Sequence, residues 1–450
     1  MPTPATRGGS GPALSCLRAA GFAEAVPAPP GTRDRLPPVR LAGFGEAVPA
    51  HRVTREELAA VIARAWPHLG RRADSLADQS ALIGRHLARP PAQLTVPLPL
   101  SAQTTRYRRV ALGLAAEAAG QALVAAGVDP AEIGLVVVAS CTGFVLPGVD
   151  SALVPRLGLR DDVVRMPFSL FGCGGGAAGL SRACDWARAH PGKAALMVAV
   201  ELPSVTFRPD DGSVDNLLSA LVFGDGAAAV VAVSGRADRA GAGAVGGRQL
   251  EAGGGGGRDG HPAAGVSPGA GVGIGAGVSR GVRVSPGVRV SPGVGVSPGM
   301  GMGIGVGRTA SRLVPRTGDA LGFRLADTGL QVVLSRRLPR LLSGTLPGVV
   351  SDFLGEETVA ELLAVAVHPG GPAIISAVES CLGLCPAQTA ASWATLRRTG
   401  NTSSAAILSV LSDLAANRPA EPGRGLAISF GPGLSIELLE LVWDGAADGA

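Results

Sequence analysis

The chain alternates between short runs that are apolar at every position and longer stretches that are apolar on one face only. Glu132–Ser140 (EIGLVVVAS) is a continuous apolar run of the kind that forms a strand buried on both sides. The run leading to Cys173, Lys193–Leu202 (KAALMVAVEL) and Phe223–Val233 (FGDGAAAVVAV) repeat the pattern. Helical patterns separate them. TREELAAVIARAW opens on Thr54 with Glu57 three residues later, a capping box that predicts a helix start. Tyr107–Gly127 is helical in period and closes on a glycine suited to a C-cap. Before these, VRLAGFGEAVPAHRVT predicts a strand and turn beginning at Val39. Buried strands alternating with helices predict a layered α/β fold.

The pattern then lapses and returns. From Gly235 the chain is dominated by Gly, Val, Ser, Pro and Arg, with Ser285, Ser291 and Ser297 six residues apart in VSPGVRVSPGVGVSPG. Such a stretch lacks the large side chains a core needs, and it predicts a disordered insert over 235–312. Residues 1–38, rich in Pro and Gly, predict a disordered extension without the h-region of a signal peptide. The first folded half therefore spans 39–234 and the second 313–450. Within the second, Ala326–Leu346 predicts a helix. Glu361–Gly383 predicts strand, tight turn and helix, and Thr399–Asn417 a turn into a helix. Gly425–Trp443 predicts a hairpin turned at Gly431, Pro432 and Gly433.

Composition narrows the function classes. The 450 residues are 46% hydrophobic and 17% charged, values of a globular enzyme, with 67 glycines as the outlying feature. The net charge of +5 is spread along the chain, and with one Tyr there is little for bases to stack on, so nucleic acid is not an expected partner. No apolar stretch of membrane-spanning length is free of charge or glycine, so no membrane span is expected. Six cysteines (16, 141, 173, 184, 381 and 385) show no CxxC pairing. That argues against a zinc site or a disulfide framework and for a reducing cytoplasm.

Three predicted strand-to-helix turns carry reactive side chains: Cys173 in FGCGGG, His368 in VHPGG and Asn401 in TGNTSS. Active sites of α/β sheets gather at such ends, where the helix N-terminus supplies positive potential. A thiol there can be activated by a nearby histidine. Glycines 174–176 would let a bound thioester approach the backbone closely. Each residue also has a plain structural reading: Cys173 as a packed thiol, His368 as a core histidine, Asn401 as a helix cap. Local pattern alone leaves both readings open.

The motifs SCTGFVLPGVD (Ser140–Asp150), FGCGGGAAGL, VELPSVTF, FGDGAAAVV, HPGGPAI, GNTSSA and SFGPGLSIE resemble those of type III polyketide synthases, the chalcone synthase-like branch of the thiolase superfamily. The resemblance runs from Val39 to Trp443 outside the insert. It implies a thiolase-like fold of two similar layered halves (αβαβα) and a homodimer. It also implies a Cys-His-Asn triad on Cys173, His368 and Asn401. Phe223 and Phe323 match gatekeeping phenylalanines; Thr206, Cys141 and Ser403 match cavity positions; Leu146 matches a loop that reaches the other subunit. Arg85 is the best match for a CoA-phosphate contact. The implied reaction loads an acyl-CoA starter on Cys173, extends it by decarboxylative condensation with malonyl-CoA, and cyclises the product to a pyrone or phenol, with no metal or redox cofactor. TGDALGFRLADTGLQVVLSR leans toward a long acyl starter over malonyl priming. Rival readings are a third-class ketoacyl-ACP synthase, whose histidine turn reads HQAN where this chain has HPGG, and a papain-like hydrolase, whose Asn precedes Ser-Trp. A non-catalytic thiolase-fold scaffold is a further alternative.

Overall fold

The computed structural model describes residues 39–234 and 303–444, apart from 70–73, 76–77, 79 and 327–328. The expected terminal extension, and the expected insert between 235 and 302, lie outside the described residues. In the first half, β1 (Val39–Ala47), β2 (His51–Thr54), α1 (Arg55–Ala65) and β3 (Gly84–Leu87) lead to the long α2 (Leu100–Ala126). Then come β4 (Ile133–Ala139), α3 (Val149–Leu157), β5 (Val164–Phe168), α4 (Gly175–Ala189), β6 (Ala194–Glu201), α5 (Pro203–Thr206), α6 (Val214–Val222) and β7 (Gly226–Ser234). The second half runs β8 (Ile304–Leu313), β9 (Leu321–Ala326), β10 (Gly329–Leu334), α7 (Leu338–Leu354), β11 (Ala364–Val367) and α8 (Pro372–Leu382). It finishes with α9 (Ala390–Thr399), α10 (Ser404–Ala416), β12 (Gly423–Gly431) and β13 (Ser435–Trp443).

Nine strands form one sheet in the order β11-β12-β13-β8-β1-β7-β6-β4-β5. The two halves join where β1 pairs antiparallel with β8, Leu41 opposite Ile304. Side-chain alternation along each strand sets the layers. β4 sends Leu135, Val137 and Ala139 to an inner core and Ile133, Val136 and Val138 to an outer one under α2. On the other half, β12 sends Ala427 inward while Leu426, Ile428 and Phe430 face α7 and α8. The inner core holds α4 and α10 between the two sheet halves, through Leu180, Cys184, Ile407 and Leu411 among others. This is the αβαβα sandwich that the motifs implied.

Local sequence explains the boundaries. Thr54 accepts from the Glu57 amide and Glu57 accepts from the Thr54 amide, completing the expected capping box. Gly127 closes α2 in the left-handed region at φ 59°. By length and composition α2 is apolar enough to cross a bilayer. Here Ala111, Leu114, Ala118 and Ala122 are buried against the sheet, so it is a core helix.

Three expectations need correction. Residues 304–312, assigned above to the insert, form β8 together with Leu313, held by β1 on one side and β13 on the other. Glycine-rich composition hid a strand whose hydrogen bonds come from both neighbours. Ala326–Leu346 is not a single helix: Gly329–Leu334 pairs with β9 as a hairpin and α7 begins only at Leu338. The alternating Leu330 and Val332 are a strand pattern that the following helical run obscured. Finally, β5 is an edge strand with exposed residues, not one buried on both faces.

Candidate active site

Cys173 sits in a single 3-10 turn, Gly172–Gly174, between β5 and α4. Its carbonyl accepts from Ser429 Oγ at 3.0 Å, which ties the turn to β12. One residue earlier on β12, the Ile428 carbonyl accepts from the His368 amide at 2.8 Å. Two adjacent residues of one strand thus anchor both groups. Asn401 arrives from the turn between α9 and α10, not from the strand end expected; its Nδ2 donates to the Gly370 carbonyl at 3.3 Å and its Oδ1 accepts from the Ser403 amide at 2.8 Å. The Asn401 main chain also brackets Phe223: its amide donates to Val222 and its carbonyl accepts from Gly224, both at 3.0 Å. That approach is close enough that a Cβ on Gly400, at φ +69°, would lie 2.8 Å from the Val222 carbonyl.

The glycines after Cys173 have a packing role that the sequence reading did not identify. A Cβ on Gly174 would meet the Gly431 backbone at 3.1 Å, and one on Gly176 the Ser404 carbonyl at 2.0 Å. They let α4 close against α10 and the β12–β13 loop, and so bring the two halves of the site together.

Burial governs the electrostatics. The His368 imidazole is 2% exposed and both its ring nitrogens lack a hydrogen-bond partner among the described residues. Burial alone pushes its pKa down to about 3. Burial pushes the Cys173 thiol up to about 11, and the negative charge of Glu201 adds to this, while hydrogen bonds with Ser403 and Asn401 and from its own main chain oppose it. Taken separately, each group prefers to be neutral. The two groups are anchored by neighbouring residues of β12, and both imidazole nitrogens remain open to a new hydrogen bond.

Ser403 connects the remaining groups. It is a non-glycine residue at φ +51°, a conformation that costs about 1–3 kcal/mol. Its Oγ lies 3.6 Å from both Cys173 Sγ and Cys141 Sγ, and 3.4 Å from Glu201 Oε1. Glu201, fully buried at the end of β6, accepts from the Cys141 and Thr142 amides, from Thr142 Oγ1 at 2.7 Å and from Ser404 Oγ at 2.5 Å. Burial raises its pKa and these donors oppose the rise. Sequence reasoning missed Glu201. The available signal was an acid closing a strand, AALMVAVE, that is otherwise wholly apolar. Cys141, buried at this junction, donates to Glu201 Oε1 at 3.4 Å.

A cleft open to solvent, with ≈ 660 Å³ of empty space counted to its mouth, is lined by Ser403 and Thr142. Phe223, Phe323 and Thr206 line it, as does Ser403. Phe323 stands directly opposite Val332 across the β9–β10 pair, and Val332 and Leu330 are wall residues that the sequence reading did not identify. Leu146 is outside this cleft and 97% exposed, on the loop between β4 and α3.

Arg85 is not a surface phosphate contact. It is 2% exposed on β3, donates to the Ala220 and Leu221 carbonyls, and faces Asp225. Burial pushes it down to about 9, partly offset by the Asp225 charge. Asp225, pushed up to about 6 by burial, accepts from the Ala88 amide at 2.6 Å and from the amide and hydroxyl of Ser204. The pair braces β3, α6 and the Phe223 turn from inside. A period-2 reading of GRHL would have pointed this side chain inward.

The fold and this convergence of thiol, imidazole and amide define a thiolase-fold enzyme. Residues 99–236 match the N-terminal domain of chalcone and stilbene synthases and residues 306–442 match their C-terminal domain. A 1,3,6,8-tetrahydroxynaphthalene synthase of Streptomyces peucetius subsp. caesius is 33% identical over 362 residues, 80% of each chain. The alpha-pyrone synthesis polyketide synthase-like Pks18 of Mycobacterium tuberculosis is 28% identical over 333 residues, 73% of this chain and 69% of that one. The crystal structure of the tetrahydroxynaphthalene synthase of Streptomyces coelicolor A3(2), a bacterial type III polyketide synthase, superposes with a TM-score of 0.72 at 25% identity, covering 90% of this chain and 100% of that one. The chain belongs to the chalcone and stilbene synthase family, the type III polyketide synthases, and is an acyltransferase of that class.

Proposed function

We propose that Cys173 carries the growing acyl chain and that His368 and Asn401 activate malonyl-CoA for its extension. The observation that supports this most is the buried imidazole with two open nitrogens at a site where the thiol and an amide also converge. His368 takes the Cys173 proton as the thiolate attacks the starter thioester; the carbon–sulfur bond to CoA breaks and CoA leaves as a thiol with that proton. Malonyl-CoA then loses CO₂. The electron pair of the broken carbon–carbon bond passes into the thioester, and the enolate oxygen receives hydrogen bonds from His368 and from the Asn401 amide hydrogen not used by Gly370. The enolate carbon attacks the Cys173 thioester, which forms a carbon–carbon bond and releases the thiolate. Cyclisation to a pyrone or phenol follows in the cleft. Named side chains supply every proton and charge contact, so the reading calls for no metal or redox cofactor.

The same reading takes the protein as a cytoplasmic homodimer. Edge strand β5 has one unpaired side, Phe144, Leu146, Leu170 and Phe171 are exposed apolar side chains that a second copy would cover, and the free thiols suit a reducing compartment. The test is malonyl-CoA decarboxylation by His368→Ala and Asn401→Ala. Both should lose most of the activity while remaining folded; unchanged decarboxylation in both would remove them from this role.

A further inference from the structure

Residues 88–99, between β3 and α2, enter the wall of the cleft through one side chain, Leu94. Leu94 is 3% exposed and belongs to a small apolar cluster with Leu58, Leu87 and Leu217. The segment around it has little to hold itself in place. Its regular structure is a single 3-10 turn, Pro91–Gln93, without a side-chain cap. Prolines at 90, 91, 97 and 99 contribute no N–H, so its carbonyls depend on donors from elsewhere.

Arg89 is the main donor. Its Nη2 donates to the Gln93 carbonyl and, at 2.7 Å, to the Val96 carbonyl, one residue before Leu94 and two after it. Nearer α2, Gln103 Nε2 donates to the Leu98 carbonyl at 2.7 Å.

The same arginine is poorly placed to stabilise the fold as a whole. It is 1% exposed, and the N–H groups on Nε and Nη1 have no partner among the described residues. Burial pushes its pKa down to about 10, the like charge of Arg106 adds to this, and the Asp225 carboxylate opposes it. Asp225 is itself engaged, accepting from the Ala88 and Ser204 amides and from the Ser204 hydroxyl. A buried cation with so few partners lends a fold little net stability. Both bonds that it does make go to one stretch of main chain, on either side of one wall residue.

We infer that Arg89 is a positioning residue for the acyl-binding cleft: it fixes residues 93–96 so that Leu94 closes the wall against the acyl chain. This builds on the reading that acyl groups carried by Cys173 occupy the cleft. Without the two bonds the segment loosens, Leu94 spends part of its time out of the wall, and an acyl chain is held less tightly. No proton or charge at Cys173 passes through Arg89, so binding suffers before the rate of attack does.

The experiment compares the full-length wild type with Arg89→Met, Arg89→Lys and Leu94→Ala. Methionine keeps the hydrocarbon stem and removes the buried charge. Lysine keeps a charged nitrogen, and a single nitrogen makes both bonds in the wild type. One readout is amide hydrogen exchange of the peptide spanning 90–99. The other is octanoyl-CoA loading on Cys173, followed by intact mass over a range of concentrations. Arg89→Met should exchange at least about tenfold faster across 92–98 while its melting temperature stays within about 2 °C of wild type or rises. Its half-saturating octanoyl-CoA concentration should rise at least about fivefold, and its maximal loading rate should change less than about twofold. Arg89→Lys should lie nearer the wild type in both readouts. Leu94→Ala should raise the half-saturating concentration with slower exchange across 92–98 than Arg89→Met. Wild-type behaviour of Arg89→Met, or faster exchange across the whole chain with a lower melting temperature, would overturn the inference. Faster exchange confined to 92–98 with an unaltered half-saturating concentration would overturn it too, because the segment would then move without consequence for the cleft. No octanoyl adduct on the wild type would overturn the acyl-loading reading instead, and the exchange comparison would still decide whether Arg89 holds the segment.

Discussion

Replacing His368 by alanine isolates what the imidazole contributes to the thiol. Desolvation pushes the half-buried Cys173 thiol up to about 11, with no cation among the causes that act on it. At pH 7 such a thiol is ionised to about one part in 10⁴. Where an imidazole can take the proton, cysteines of this kind titrate at roughly 3.5–7.5 and are largely thiolate at neutrality. Iodoacetamide reacts with the thiolate, so its rate with Cys173 at pH 7 should fall by about 10³–10⁴ in His368→Ala. The sign with pH follows. The wild-type rate should be near its plateau at pH 7, whereas the variant's should keep rising about tenfold per pH unit through pH 9. Alkylation is read by mass spectrometry of the Cys173 peptide, and near-native circular dichroism excludes unfolding as the cause. The side chain makes no hydrogen bonds to lose among the described residues, so the fold has mainly a cavity to absorb. A wild-type profile that climbs steadily from pH 7 to pH 11, or equal rates in the two proteins, would refute the reasoning.

Other predictions concern the frame around the thiol. Gly176→Ala would place a methyl group 2.0 Å from the Ser404 carbonyl and should destabilise the protein by about 1–3 kcal/mol in chemical denaturation; a neutral outcome would mean that α4 and α10 are not tightly apposed. Replacing Glu201 by Gln removes the negative charge behind Ser403, so the Cys173 pKa should move down; an alkylation profile displaced upward would contradict that assignment. Asp225, at about 6 when folded and about 3.9 when unfolded, binds more protons in the native state between those values. Its contribution to stability should therefore fall by roughly 3 kcal/mol as pH rises from about 4 to about 6, seen as a difference between wild type and Asp225→Asn; parallel curves would count against it. Val39 pairs with Ser234 and Leu41 with Ile304, so Ser234 and Ile304 lie two strand spacings across the sheet and two residues along it, roughly 12 Å apart. A linker of about eight residues in place of 235–302 should leave melting within about 4 °C of the full chain, whereas removal through Arg308 should not, because it cuts into β8.

Much of the site was legible because its chemistry lies at strand ends, where local pattern and residue type coincide. Cys173 and His368 each follow a strand and precede a helix, as read, whereas Asn401, read as a strand end, lies between α9 and α10 and bridges only to Phe223. The capping box at Thr54 and the C-cap at Gly127 were equally local, and both stand as read. What escaped depended on partners distant in sequence. Arg85 looks like a surface cation until β3 turns it toward Asp225, 140 residues away. Glu201 acquires its meaning from Cys141 and Thr142 on one side and Ser403 and Ser404 on the other, contacts that span both halves. β8 is a strand because β1 and β13 flank it, and its own glycines argue otherwise. β5 looks like a core strand by composition, but its position at the edge of the sheet leaves it exposed.

The account stands on Cys173 as the residue that holds the acyl group. Incubation of the full-length protein with octanoyl-CoA, followed by intact mass and peptide mapping, tests it directly. One octanoyl group per chain on the peptide containing Cys173, discharged when malonyl-CoA is added, is the predicted result. An adduct on Cys141 in place of Cys173, or a Cys173 adduct that malonyl-CoA leaves untouched, would contradict it.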